Sequence, residues 1–450
     1  MDEFESCFGD KRRPLALARL AEAMVRHSSV VVRRLGETRA GEMSAHRVLS
    51  ASAVKAEAIA DCLGRRTGRA AAGRRVVVAQ DTTEVNFPGH SRKQLGPAGR
   101  TGKTPGFFIH AAVAVDADDE QVLGLVDAAI WTRDGKAKAD RYKRLVTDKE
   151  SVRWSRAAQL TSERLAAARE RIVVGDRESD LFQLFAERPA DTHLVVRCAQ
   201  NRKLADGGLL FDVSSAWPPL GDVAVQVPPR GPGDRGRVAT VTLRAGVVQI
   251  CRPRNGRRQG LAKTLSVTLI EAIELAPAKG VKPLHWRLLT TLPGDDLAAA
   301  HEVVRLYRLR WRIEQSYRML KSDGLRLEEA QTADTHRLFN LAALAMGAAV
   351  RIIQLVDARD GSPRPASDVA RDSEIAAAEA LGPTLEGKTE RQRNPHPKHS
   401  LAWLNWIVAR LGGWNCYYKP PGPKTMRQGW DRFAAIAQGF QLANTTQEIP

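Results

Sequence analysis

Three acidic residues have the type and the setting for metal-assisted phosphoryl chemistry. Asp81 follows VVVAQ and Asp176 follows VVG, so each ends a short β-branched run. A carboxylate at a strand end is carried by rigid backbone and aimed out of the sheet. Turn formation explains one such aspartate equally well. Two in one domain ask for a shared reason, and a hard divalent cation supplies it. Such an ion takes a few carboxylate oxygens and keeps the rest of its shell for water and phosphate. The third acid, Glu314, lies in YRLRWRIEQSYRMLK, where Tyr307, Arg310, Glu314 and Lys321 are spaced by three, four and seven positions. At about 100° per residue these four fall within an arc of roughly 60° on a continuous helix. A phenol, two cations and a carboxylate would share one face. A salt-bridged helix surface is the competing reading, because Arg310 and Glu314 are also an i,i+4 pair.

The elements that must position these groups follow from hydrophobic periodicity. The run at 76–79 reads as a strand buried on both faces. Residues 107–115 (FFIHAAVAV) and 122–131 read as an antiparallel hairpin around the turn-like Asp116-Ala117-Asp118-Asp119. A helix over 156–170, a buried strand at 172–174, a short helix over 179–187 and a strand at 193–198 complete an α/β domain with a mixed sheet. Residues 203–285 are β-rich, with strands expected at 223–227, 239–243 and 267–273, and read as an insertion into that domain. The chain returns with a strand at 286–290, and Pro293-Gly294-Asp295 opens a long helix. Helical segments flank this core. Residues 1–70 are cationic and suit a small DNA-reading module. Beyond 331, helices are expected over 338–355, 401–411 and 425–442, and within the polar stretch 357–400 the segments 361–365 and 394–397 read as loops. The expected division is 1–70, 71–330 and 331–450.

Charge points to the partner. Sixty-nine Lys and Arg against 51 acidic residues give +18 over 450 residues. A surface this positive attracts a polyanion, and nucleic acid is the default because phosphate neutralisation releases counterions. No run of about 18 uncharged apolar residues appears, and MDEFESCFGDKRRP has no secretory pattern. No membrane association is expected. The five cysteines (Cys7, Cys62, Cys198, Cys251 and Cys416) are scattered and odd in number. They suggest neither a metal site nor a disulfide framework, and a reducing cytoplasm is the simplest home.

Taken together, these residues resemble the DDE transposases of cut-and-paste bacterial insertion sequences, in the group marked by a Y-(2)-R-(3)-E-(6)-K signature. Tyr307, Arg310, Glu314 and Lys321 match that spacing, and DTTEVNF at Asp81 and DRESD at Asp176 are similar to the first and second aspartate motifs. FGDKRR near the start, and LAWLNWIVARLGGW, KPPGPKT and GW near the end, are similar to the group's terminal segments. The resemblance implies an RNase H-like catalytic domain interrupted by a β insertion, with Asp81, Asp176 and Glu314 holding two Mg²⁺ ions (Mn²⁺ able to substitute). It implies double-stranded DNA as substrate, transposon ends and target alike, a hairpin intermediate, and a homodimer on DNA formed through the C-terminal helices. Arg310 and Lys321 would grip phosphates, Tyr307 would contact a phosphate near the scissile end, and Trp286 would stack on a flipped base. Arg197, Arg202 and Lys203 would also contact DNA.

Other groups carry less. Arg252, Arg254, Arg257 and Arg258 cluster in the insertion, where a solvated charge run explains them as well as DNA does. Lys149-Glu150-Ser151 is similar to a family motif without an assigned role, and His110 in an apolar strand reads as a core residue. Two other functions fit the same residues. One is a metal-dependent nuclease of this fold without strand transfer, and the other is a catalytically silent DNA-binding inhibitor of transposition.

Overall fold

The computed structural model describes every residue except 1–3, 5–6, 9–11, 89–91, 93, 100–101, 135–150, 228–235, 254–259, 323, 359–360, 362–363, 418–419 and 448–450. In chain order the N-terminal helices are α1 (Arg12–His27), α2 (Val32–Gly36), α3 (Arg39–Ser50) and α4 (Ala56–Ala70). The strands β1 (Arg75–Asn86), β2 (Pro97–Ala98), β3 (Thr104–Asp116) and β4 (Val122–Trp131) follow. Next come α5 (Val152–Arg164), β5 (Glu170–Gly175), α6 (Phe182–Ala186), β6 (Thr192–Arg197) and α7 (Leu210–Ala216). The strands β7 (Gly221–Val227), β8 (Arg237–Cys251), β9 (Thr264–Ile273) and β10 (His285–Thr290) lead into α8 (Leu297–Arg308) and α9 (Trp311–Leu320). The chain ends with α10 (Thr335–Asp357), α11 (Asp372–Leu385), α12 (Leu401–Leu411) and α13 (Pro423–Gln447).

By contact the chain divides into two units, one of Met1–Ala72, Thr82–Lys136 and Arg312–Pro450, the other of Gly73–Asp81 and Ala137–Trp311. The N-terminal and C-terminal helices therefore belong to one unit, together with the β3–β4 hairpin.

The second unit is built on a mixed sheet. The start of β1 pairs in parallel with β5, and β5 in parallel with β6. From there β6, β10, β9, β8 and β7 run antiparallel, each to the next. The expected insertion thus extends the sheet through β10. Val76, Val77, Val78 and Ala79 are fully buried, as are Ile172, Val174, Leu194, Val195 and Val196. Parallel strands covered on both faces need such unbroken apolar runs, which is why β1 and β5 are legible at a glance. The helix α8 packs on this sheet.

In the first unit β3 and β4 form the expected antiparallel hairpin, with Phe108 opposite Trp131 and Val115 opposite Val122. The helices α4 and α10 pack on β4. The 23-residue α10 is long and apolar enough to cross a membrane, yet 78% of its apolar window is buried inside the protein. It is a core helix of its unit.

Three expectations are corrected here. Cys7 and Cys62 form a disulfide across 55 residues, although no cysteine pairing was expected. The polar stretch 357–400, in which no helix is expected, holds one at Asp372–Leu385. Its sequence, DSEIAAAEALGPTL, is rich in alanine, the strongest helix former. The long helix expected after Asp295 is broken into α8 and α9 at Leu309–Arg310.

Candidate active site

The first two acids meet through strand register. Arg75 stands opposite Glu170 and Ala79 opposite Val174 in the parallel β1–β5 pair. Two steps further on the same register are Asp81 and Asp176. Asp81 does not end its strand as expected but stands midway along β1, just past the last pair of β1 with β5, while Asp176 follows the end of β5. Both sit at one level of adjacent strands, whose backbones in a sheet lie about 4.8 Å apart. Each side chain is half-buried.

Asp176 is held by the turn it starts. It is the first residue after β5 and caps the 3₁₀ turn Arg177–Ser179, with Oδ1 accepting from the Glu178 N–H at 2.9 Å. Its carbonyl accepts from the Ser179 hydroxyl at 2.7 Å and the Ser179 N–H at 3.1 Å. Gly175, just before it, is packed against this turn. A Cβ there would lie 2.3 Å from Ser179 Oγ and 2.7 Å from Ser179 Cβ.

Asp81 has a basic neighbour. Arg310 Nη1 donates to Asp81 Oδ2 at 3.4 Å, with side chains 11% and 20% exposed. Arg310 lies in the turn between α8 and α9, where its N–H and that of Leu309 reach back three residues to Tyr307 and Leu306 carbonyls at 3.1 Å each. The helical arc drawn through Tyr307, Arg310, Glu314 and Lys321 is therefore interrupted. Tyr307 ends one helix, Arg310 sits in the break, and Glu314 and Lys321 follow it.

Two expected DNA contacts are interior groups in this structure. Trp286 is 7% exposed and Tyr307 4%. Their rings pack edge-to-face with centroids 5.4 Å apart, a favoured aromatic geometry. Burial raises the Tyr307 phenol above its ordinary value, against the lowering influence of the Arg310 and Arg197 guanidinium groups. In this packing both rings lie in the core of the sheet unit.

Glu314 lies in the first turn of α9, exposed, in the other unit. That helix is pinned within its own unit. Arg312 donates to Asp357 Oδ1 at 2.9 Å and to the Glu120 carbonyl at 2.6 Å, and the Tyr317 hydroxyl accepts from the Ala111 N–H at 3.2 Å. Lys321, just past α9, donates to the Glu84 carbonyl and lies 3.8 Å from Glu328 Oε1. Burial lowers its pKa, partly offset by Glu328 and Glu84.

The remaining expected contacts separate clearly. Lys203 is exposed, and Arg197 is half-buried with Nη2 3.5 Å from the His285 carbonyl. Arg202 is turned inward, its side chain 4% exposed and ion-paired at 2.6 Å with Asp180. A guanidinium in that position faces no phosphate. Asp180 was given no role from sequence, although it stands in DRESD four places after Asp176. His110 is a core residue, 1% exposed, with Nδ1 3.0 Å from the Thr82 hydroxyl. Arg254, Arg257, Arg258, Lys149, Glu150, Gly9, Asp10 and Lys11 lie outside the described residues.

Among the described residues no three His, Cys, Asp or Glu side chains are grouped closely enough to hold a metal ion. The donor chemistry in the sheet unit nevertheless fits one. Two hard oxygen donors at one level of adjacent strands are the ligands that Mg²⁺ takes in small number.

A mixed sheet with flanking helices, carrying one aspartate midway along β1 and one just past the end of the adjacent parallel β5, is consistent with an RNase H-like, nucleic-acid-cleaving domain. The family model for the transposase DDE domain matches residues 72–351, well over half of the chain. The chain belongs to the DDE transposase family. DNA is the substrate of that family, and its members generally use divalent metal ions.

Proposed function

We propose that this protein is a cut-and-paste transposase of the group carrying the Y-(2)-R-(3)-E-(6)-K signature. In this reading it binds transposon-end DNA, cleaves it through a hairpin intermediate and joins the ends to target DNA. What supports it is the β1–β5 register, with Ala79 opposite Val174, which continued two residues reaches Asp81 and Asp176. Asp81, Asp176 and Glu314 would hold two Mg²⁺ ions, with Mn²⁺ able to substitute, and such a pair activates the attacking oxygen and stabilises the leaving one in an in-line displacement. Arg310 would grip a backbone phosphate by its planar fork and Lys321 would do so as a point charge. Arg197 and Lys203 extend that positive track.

End recognition falls to the N-terminal helices. On α3 the exposed residues Arg39, Met43, Arg47 and Ser50 recur at intervals of four, four and three, a single helix face. A groove of about 360 Å³ lined by Met43, His46, Arg47, Ser50 and Arg337 runs beside it. A helix presenting short polar and basic side chains on one face suits the major groove. The C-terminal helix α13 exposes Ile436 and Leu442, 40% and 62%, and would form the dimer contact on DNA. The site of action is the bacterial cytoplasm, at the nucleoid.

The test is incubation with candidate transposon ends and Mg²⁺, reading nicked, hairpin and joined products. All three products are expected. Cleavage without joining would make the protein a nuclease of the same fold, and binding without cleavage would make it a silent inhibitor.

A further inference from the structure

One buried charge pair has no part in the reaction just described. Asp180 is 1% exposed and Arg202 6%. Arg202 Nη2 donates to Asp180 Oδ1 and to the Asp180 carbonyl, both at 2.6 Å. Asp180 Oδ2 accepts from the N–H groups of Ala199 and Gln200 at 2.8 and 2.9 Å, and Gln200 Nε2 donates to the Asp180 carbonyl at 3.3 Å. Desolvating two ions costs several kcal/mol each, and the bonding that offsets it here leaves Arg202 Nε buried without a partner. Apolar residues of similar volume often match a buried ion pair in stability, so stability alone gives weak grounds for building one.

Its place in the fold suggests what it does. Asp180 closes the short turn that Asp176 opens, and Ala199 to Arg202 form the segment leaving β6. Five hydrogen bonds thus tie the Asp176 turn to the exit of the neighbouring parallel strand. On its other side, Gly175 and Ser179 pack the turn against β5. The turn that carries Asp176 is held on both sides.

We infer that Asp180 and Arg202 are positioning residues that aim Asp176 at a divalent cation, and that Arg202 acts on the metal site and not on DNA. This rests on the reading of Asp176 as a metal ligand. Supporting residues behind a ligand typically alter metal affinity by about 10–100-fold when replaced.

The test is Mn²⁺ titration of the full chain without DNA, followed by electron paramagnetic resonance, for D180N, R202A, R202K and D176A, with thermal unfolding of each. D180N and R202A are expected to weaken Mn²⁺ binding at least about tenfold, with R202K intermediate and DNA affinity unchanged. Wild-type Mn²⁺ binding by folded D180N and R202A would overturn the clamp while D176A still loses the ion. Wild-type binding by D176A would instead remove Asp176 from the ligand set, and the clamp with it. A lower salt slope of DNA binding in R202A, with Mn²⁺ binding intact, would return Arg202 to the DNA contacts. Loss of the fold in D180N, R202A and R202K alike would make the pair structural only.

Discussion

Arg310 Nη1 lies 3.4 Å from Asp81 Oδ2, a guanidinium set against the carboxylate that the proposed chemistry needs for a cation. The two charges compete for one ligand. Replacing Arg310 with Gln is expected to raise Mn²⁺ affinity in the absence of DNA, by a few-fold to about tenfold for a partly exposed pair. The same variant should bind DNA with a salt slope smaller by about one, because a phosphate contact is lost. Titrations of metal and of DNA at several salt concentrations check both, and unchanged values in both would remove Arg310 from the site.

Single replacement of Asp81, Asp176 or Glu314 with Ala should lower cleavage by about 10³-fold or more, some 4 kcal/mol of transition-state stabilisation. End binding should persist, since none of the three is a cation facing phosphate. Gel-shift and cleavage assays on the same end fragment separate the two effects. A variant that keeps appreciable turnover takes its residue out of the reaction centre.

Trp286 is predicted to matter for folding. Its ring is 7% exposed and packed against Tyr307, so W286A should lose about 3–5 kcal/mol of stability. Urea unfolding measures this directly. Unchanged stability with a specific failure of hairpin formation would restore the base-stacking role implied by family resemblance.

Lys321 should give DNA binding an early alkaline limb. Burial lowers its pKa from the ordinary 10.5, and a lysine is cationic only below its pKa. Its contribution to affinity is therefore lost, as pH rises, sooner than an ordinary lysine would lose it. Lys321→Arg keeps its charge throughout and should abolish that limb. Affinity measured from neutral pH upward for both proteins tests the sign.

The Cys7–Cys62 disulfide closes a 55-residue separation in the N-terminal helices. A cross-link of that span contributes on the order of 4 kcal/mol when formed. Denaturation of the oxidised protein with and without reductant should show that loss, and C7S should be insensitive to the reductant.

The catalytic sheet was legible because its chemistry is local. VVVAQD and VVGD announce two buried strands, although only the second ends at its acid and β1 runs on past Asp81 to Asn86. The hairpin 107–131 announces itself by apolar runs around an acidic turn. The β insertion was legible as strands, although β8 extends over 237–251, well beyond the 239–243 expected. What stayed hidden was set by tertiary contact. No Gly or Pro marks the break at Leu309–Arg310, so the helical spacing of YRLRWRIEQ reads straight through it. Cys7 precedes α1 and Cys62 lies in α4, so their pairing depends on how the helices between them pack. Arg202 looks like a free surface cation until Asp180 is seen beside it, and Trp286 looks available until Tyr307 is found against it.

The crowding behind Asp176 has an evolutionary and practical corollary. Position 175 has room for hydrogen and nothing larger, since even a methyl would strike the Ser179 side chain at 2.3 Å. A saturation library at this codon should return a single functional letter, and recovery of alanine would need a second change at Ser179. Attempts to evolve a faster or retargeted enzyme can leave that codon untouched and spend their diversity elsewhere.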